Sequence, residues 1–146
     1  MTSMSAMIEK IEAMPNLPVR KELCWLEHDE EDDDEEDYCP ECAEKEAKDG
    51  WEVRYSHGMY DADGSRICNK CFSLLSVCLT DGGVDDELEH FEAYGIDSPE
   101  NWAILLMIME TGMYQDDYEW SRKTSSLRAL NQYDRTCKLF MKHWKD

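Results

Sequence analysis

Residues 38–83 read YCPECAEKEAKDGWEVRYSHGMYDADGSRICNKCFSLLSVCLTDGG, and this stretch decides which fold the chain can make. It holds two Cys-x-x-Cys pairs, Cys39 with Cys42 and Cys68 with Cys71, separated by 25 residues. A tetrahedral thiophilic ion takes four thiolates at about 2.3 Å, and each Cys-x-x-Cys turn brings two sulfurs to one ion while backbone amides soften their charge. Pro40-Glu41 and Asn69-Lys70 suit such turns. The spacing predicts one structural zinc site built from Cys39, Cys42, Cys68 and Cys71, with Zn2+ as cofactor. A redox pair in each turn is the competing reading, and it would call for a βαβ pattern that is absent.

Between the pairs, Trp51, Val53 and Tyr55 alternate with polar residues as in a half-buried strand. Asp63-Gly64 signals a tight turn, so a β-hairpin with a return strand ending near Ile67 is expected. The run FSLLSVCL after Cys71 lacks Gly and Pro until Gly82-Gly83 and reads as a buried helix with a glycine stop.

A first Cys-x-x-Cys turn, a hairpin, and a second Cys-x-x-Cys opening a helix together resemble the treble-clef zinc fingers, the broad group that includes GATA-type fingers. The resemblance covers residues 38–80. It implies a structural metal site with no open coordination position, and hence no metal-bound water for hydrolysis.

Working outward, every residue from Asp29 to Asp37 is acidic: Asp29, Glu30, Glu31, Asp32, Asp33, Asp34, Glu35, Glu36 and Asp37. Such a block repels itself and is expected as an extended linker, either a solvated spacer or a phosphate-like strip for a basic groove. Before it, Met7, Ile8, Ile11 and Met14 recur at helical spacing behind Ser3 and Ser5 and ahead of Pro15 and Pro18. VRKELCWLEH at 19–28 reads as a second short helix with Leu23 and Leu26 inward.

On the other side, Ser98-Pro99-Glu100 is a helix start, and WAILLMIM after it is apolar all round, so this should be the most buried helix, closed by Gly112. A last helix from about Thr124–Ser126 carries Leu127, Leu130, Tyr133, Cys137, Phe140 and Trp144 on one face. Arg128, Arg135, Lys138, Lys142 and Lys145 form a basic ridge on the other. The expected organisation is α+β: an N-terminal helical segment (1–28), an acidic linker (29–37), a zinc-binding module (38–83) and a mainly helical C-terminal region (84–146) packed on it.

Composition sets the function class. With 34 acidic against 15 basic residues the formal net charge is −19. The excess is uneven, because residues 118–146 hold 7 basic and 3 acidic side chains. A field of this sign repels nucleic acid and anionic membranes and attracts basic proteins. An odd cysteine count of 7 fits disulfides poorly, and no leader or membrane-length apolar run is evident, so a cytoplasmic setting is expected.

The leading reading is therefore a non-enzymatic, zinc-stabilised protein-interaction module. Its acidic face, at Asp29 to Asp37 and again at Asp85, Asp86 and Glu87, would engage a basic partner by imitating nucleic acid. Small phage-encoded inhibitors of restriction or CRISPR complexes share this acidity. The alternative is a nucleic-acid-binding or transcription-regulating finger that uses the basic ridge with Arg54, Arg66 and Lys70. The ridge could equally neutralise the acidic face of the same molecule or of a second copy. An enzyme is least supported, since no histidine among His57, His90 and His143 has a patterned nucleophile or carboxylate.

Three weaker signals receive bland readings. Cys78 and Cys137 are expected as buried thiols, Cys24 with His28 makes too few ligands for a second ion, and Asp61-x-Asp63-Gly64 is a turn and not a calcium loop.

Overall fold

In the computed structural model the described residues are 4–27, 34–57, 60–110 and 127–145. They form an α+β fold of five helices and eight short strands. Helix α1 (Met4–Glu12) turns Met4, Met7 and Ile11 inward, as the spacing predicts.

The segment after it departs from expectation. Residues 19–27 do not make a helix: β1 (Lys21–Glu22) and β2 (Cys24–Glu27) are strands, and His28 lies outside the described residues. Leu23 and Leu26, three apart, fit a helical face, but Cys24 and Leu26 are buried while Trp25 and Glu27 turn outward, which is period two. Strands remote in sequence supply the partners that decide the matter. β2 is the centre of a three-stranded sheet between β3 (Asp34–Tyr38) and β4 (Glu52–Tyr55), both antiparallel to it.

The acidic block is likewise not wholly a linker. Asp34 to Asp37 belong to edge strand β3, paired through Cys24↔Tyr38 and Leu26↔Asp34 with a bulge between; 29–33 lie outside the described residues. An edge strand leaves one side open to solvent, so charged side chains can join a sheet while keeping water, and they discourage pairing with other chains. Across β2 and β4, Glu27 stands opposite Glu52, and Arg54 offsets that repulsion by bonding both, at 2.8 and 2.7 Å.

The expected hairpin between the cysteine pairs does not form, because β4 takes β2 as partner. β5 (Asp61–Ala62) runs parallel to β8 (Cys78–Leu79), and β6 (Arg66–Ile67) pairs antiparallel with β7 (Leu74–Ser76), which also runs parallel to β1. FSLLSVCL is thus two strands and not a helix. A short apolar run fits a strand buried on both faces as well as a buried helix, and here Leu74, Leu75, Val77 and Leu79 are all buried. β1 and β2 come from the first 28 residues, so the N-terminal segment is built into the sheets around the cysteines and is not a separate helical unit.

Gly82-Gly83 opens a helix where a stop was expected. The Thr80 hydroxyl caps α3 (Asp81–Tyr94) by accepting from the Gly83 amide at 3.0 Å. A Cβ at Gly83 would meet the Asp63 carbonyl carbon at 2.9 Å, so the glycine permits the helix to touch the 61–63 backbone. Helix α4 (Pro99–Glu110) begins as predicted, with the Ser98 hydroxyl accepting from the Asn101 amide at 3.2 Å. Its Trp102, Ala103 and Leu105 to Met109 are buried, whereas Gly112 lies outside the described residues.

Helix α5 (Leu127–His143) packs on α3 and α4. Tyr133 and Phe140 face inward as expected, and Phe140, Trp144 and Trp102 form an aromatic cluster with centroids 5.2–6.0 Å apart. Leu127 does not face inward: it is 86% exposed. Leu139, Gln132 and Thr136 fill the inward face instead, with Gln132 Nε2 donating to the Asp81 carbonyl at 3.1 Å and to Asp85 at 3.0 Å. Among the described residues no helix is long and apolar enough to cross a membrane.

The basic ridge is partly turned inward on α3. Arg128 reaches Asp85 at 2.7 Å, and Arg135 reaches Glu92 at 2.6 Å and Asp85 at 3.5 Å. Burial pushes the Asp85 carboxyl up, but the Gln132 and Arg128 hydrogen bonds outweigh it and hold the group below its ordinary value; Arg135 lowers Glu92 in the same way. Carboxyls depressed in the folded state stabilise it above their ordinary pKa, and that stability is lost as pH falls through the folded values. Asp85→Asn should therefore cost about 1–2 kcal/mol at pH 7. The gap between the variant and the parent in thermal melts should narrow steadily as pH falls below the ordinary aspartate range; a gap independent of pH there would show that charge is not what holds α5 to α3.

Candidate metal centre

The two halves of the centre are made differently. Cys39 directly follows β3 and N-caps α2 (Pro40–Glu46) in extended backbone, with proline in the first turn, and Cys42 is the third residue of the helix. The Cys39 carbonyl accepts from the Ala43 amide at 2.9 Å. Cys68 and Cys71 sit in the turn joining β6 to β7. That turn is closed by Phe72 N donating to Cys68 O at 3.0 Å and by Cys68 N donating to Ser73 O at 2.9 Å. The Asn69 amide and side chain both donate to the Asp37 carbonyl, at 2.9 and 3.2 Å, which ties the turn to β3.

The treble-clef arrangement is thereby exchanged. Its helix is expected after the second cysteine pair, yet here the helix follows the first pair and the hairpin carries the second. Pro40 and Glu41 favour a helix N-terminus directly after Cys39, while strand pairing on both sides of β7 commits the residues after Cys71 to a sheet.

The four sulfurs nevertheless meet. All lie within 4.8 Å of one another, and Cys39 Sγ stands 3.7 Å from Cys71 Sγ. A tetrahedron of bonds 2.3 Å long has edges of about 3.8 Å, whereas a disulfide needs about 2.05 Å. The spacing is that of thiolates around one ion. Cys39 and Cys68 are buried, Cys42 is half-buried and Cys71 is exposed, so the site lies at the surface with two ligands beneath.

Local donors divide the thiols. The hydroxyl and amide of Ser73 pull the Cys71 thiol down to about 6, with Ser73 Oγ 3.1 Å from its sulfur. Burial raises Cys68, but the amides of Cys71, Cys39 and Lys70 outweigh it and leave the group lowered. Cys42 is pushed up to about 12, first by its hydrogen bond with the Cys39 thiol and then by burial. Four thiols in this space cannot all ionise without a cation, and a divalent ion removes the conflict. The centre can hold such an ion, and an all-thiolate tetrahedral set suits zinc.

Other residues singled out from the sequence fall elsewhere. Cys24 is buried on β2, and its thiol is raised to about 12 by burial and by Glu22; it is not one of the four clustered sulfurs, and His28 lies outside the described residues. Cys78 is exposed on β8 and not buried, because the run it belongs to is a strand, while Cys137 is half-buried and raised by burial. His57 is exposed with Nδ1 3.6 Å from Glu22, His90 packs on Tyr94, and the His143 ring lies against Gly95. Asp63 accepts from the Thr80 hydroxyl at 2.9 Å in the bend after β5.

Of the acidic candidates, Glu36 is exposed and accepts from the Tyr38 hydroxyl at 2.6 Å. Asp37 is partly buried beside Arg66, and burial raises its carboxyl against the pull of that guanidinium. Asp85 is engaged by α5, Asp86 is exposed, and Glu87 accepts from the Ser65 amide at 2.9 Å. Of the ridge, Lys138, Lys142 and Lys145 are exposed.

Sequence reasoning missed Ser73 and Phe72, which complete the second turn, and a cleft of about 670 Å³ where Met14, Ile96, Trp102 and Trp144 meet. The cleft had no linear signal, because its walls come from three separated segments. Compared with protein-family models, curated proteins and solved structures, the chain matches none of them.

If an ion joins these segments, removing it should loosen both turns at once. Chelation, or Cys68→Ser, should lower the thermal midpoint by roughly 10 °C or more and expose the ligand thiols to alkylation. An unchanged midpoint after verified metal removal would reduce the cluster to four neighbouring thiols.

Proposed function

We propose that this chain is a non-enzymatic, zinc-stabilised interaction module whose acidic surface engages a basic protein surface in place of nucleic acid. The observation that carries the reading is the charge left after internal pairing. Even if all 15 basic side chains were paired, 19 of the 34 acidic ones would remain. A surplus of that size draws cationic surfaces and repels phosphate backbones.

Five of the cations that could have supported nucleic-acid binding have acidic neighbours, whereas Lys138, Lys142 and Lys145 of the ridge stay exposed. Arg54 bonds Glu27 and Glu52, Arg66 meets Asp37, Lys70 meets Glu46, and Arg128 and Arg135 meet Asp85 and Glu92. Zinc held by Cys39, Cys42, Cys68 and Cys71 has its coordination filled by protein and acts as a cross-link, fixing the strand that carries part of the acidic block. The partner class is a basic, nucleic-acid-binding protein complex, the kind of target that phage inhibitors of restriction and CRISPR nucleases take.

The test is a salt series from about 50 to 300 mM. Zinc-loaded protein should leave plasmid DNA unbound throughout, yet bind a purified nucleic-acid-binding complex of its host with an affinity that falls steeply with salt. Replacing residues 29–33 with Gly and Ser, together with Glu36→Gln, should weaken that complex about tenfold while leaving the strand pairing intact. Tight, salt-sensitive plasmid binding would sink the reading, and undiminished affinity in the variant would make the block a spacer.

A further inference from the structure

The cysteine centre holds one side chain in an unusual position. Phe72 directly follows Cys71, its φ is 61°, and it is 70% exposed. A left-handed backbone favours glycine, and an aromatic L-residue there is strained. Burial does not compensate, since most of the ring is in solvent. Ile67, just before Cys68, is 50% exposed, so the turn displays apolar side chains on both sides of its cysteines.

The support beneath them is tied down on two sides. The two backbone bonds across the turn fix its shape, and the Asn69–Asp37 bonds set it against the acidic edge strand β3. The close approach of Cys71 to Cys39 sets it against the first turn of α2, where Glu41 is exposed. With Arg66 and Lys70 paired to Asp37 and Glu46, the exposed Glu36 and Glu41 leave the segments around this apolar pair net acidic, which suits a partner that is cationic and offers a flat stacking surface. Grooves for single-stranded nucleic acid combine those features, cationic walls for phosphates and guanidinium or aromatic platforms for bases.

We propose that Phe72, assisted by Ile67, is the anchor of this acidic surface, its ring stacking on an arginine of the basic partner where a nucleobase would lie. The inference rests on the reading above and names the contact that gives it selectivity. Guanidinium stacks on an aromatic face more readily than ammonium does, so the anchor should distinguish arginine from lysine at equal charge.

The experiment uses the zinc-loaded full chain with fluorescent octa-arginine and octa-lysine peptides, read by anisotropy at low salt. The parent should bind octa-arginine roughly 3–5-fold more tightly than octa-lysine. Phe72→Leu, which keeps apolar bulk but loses the ring, should close that gap. Phe72→Gly should close it too, with a thermal midpoint that holds or rises because glycine suits the left-handed backbone. Equal binding of both peptides by the parent, or a gap that survives both substitutions, would overturn the anchor while leaving the acidic surface in place. Failure of both peptides to bind at all would remove the acidic-surface reading itself.

Discussion

The meeting of four sulfurs is the constraint around which the strand-rich half is arranged. β5, β6 and β8 have two residues each and β7 has three, far too few ladder bonds to stand alone. The two cysteine turns bridge what those bonds do not. One turn belongs to β3 and α2 and the other to the β6–β7 hairpin, so an ion held by the four sulfurs would join the sheet around β2 to the sheet around β7. The geometry asks only that each pair present two thiolates on a tight turn. Whether a helix or a strand follows is left open, which is how the helix and the hairpin can trade places relative to a treble clef and still deliver a tetrahedral set.

Charge is the second organising term, and the fold handles it by position. β3 is an edge strand, and its Glu36 keeps access to water. Arg54 sits between two glutamates that face each other across β2 and β4, and Arg135 spans Asp85 and Glu92 on the seam of α3 and α5. Cations are spent where acids are forced together, and the remainder of the negative surface is left to solvent or to a partner. The same economy explains why the C-terminal basic stripe is largely an intramolecular feature at its first two arginines.

The apolar half is more conventional. α4 is buried on nearly every side, with α1 and α5 packed against it and α3 packed on α5, and the Trp102, Phe140 and Trp144 rings close one end. Thr136 and Gln132 are buried polar groups on α5, and both find partners, Thr136 with the Gln132 carbonyl at 2.7 Å and Gln132 with α3. The Gln132 bonds to α3 align α5 alongside its aromatic stripe, while the Thr136 bond lies within α5.

What the chain determined alone were the features whose signal is local and long enough to be unambiguous. The ligand set follows from two paired spacings; α1, the Ser98-capped start of α4 and most of α5 follow from capping residues and sustained helical periodicity. What only the tertiary structure decided were the short apolar runs. KELCWLE and SLLSVCL satisfy helix and strand alike, and the choice fell to strands because β2 and β7 each gain hydrogen-bonded partners on both sides, one near in sequence and one remote. The same holds for the acids of β3, which pair because β2 presents an edge, and for Phe72, whose left-handed backbone is imposed by the closure of a turn around two sulfurs and is written in no propensity of phenylalanine.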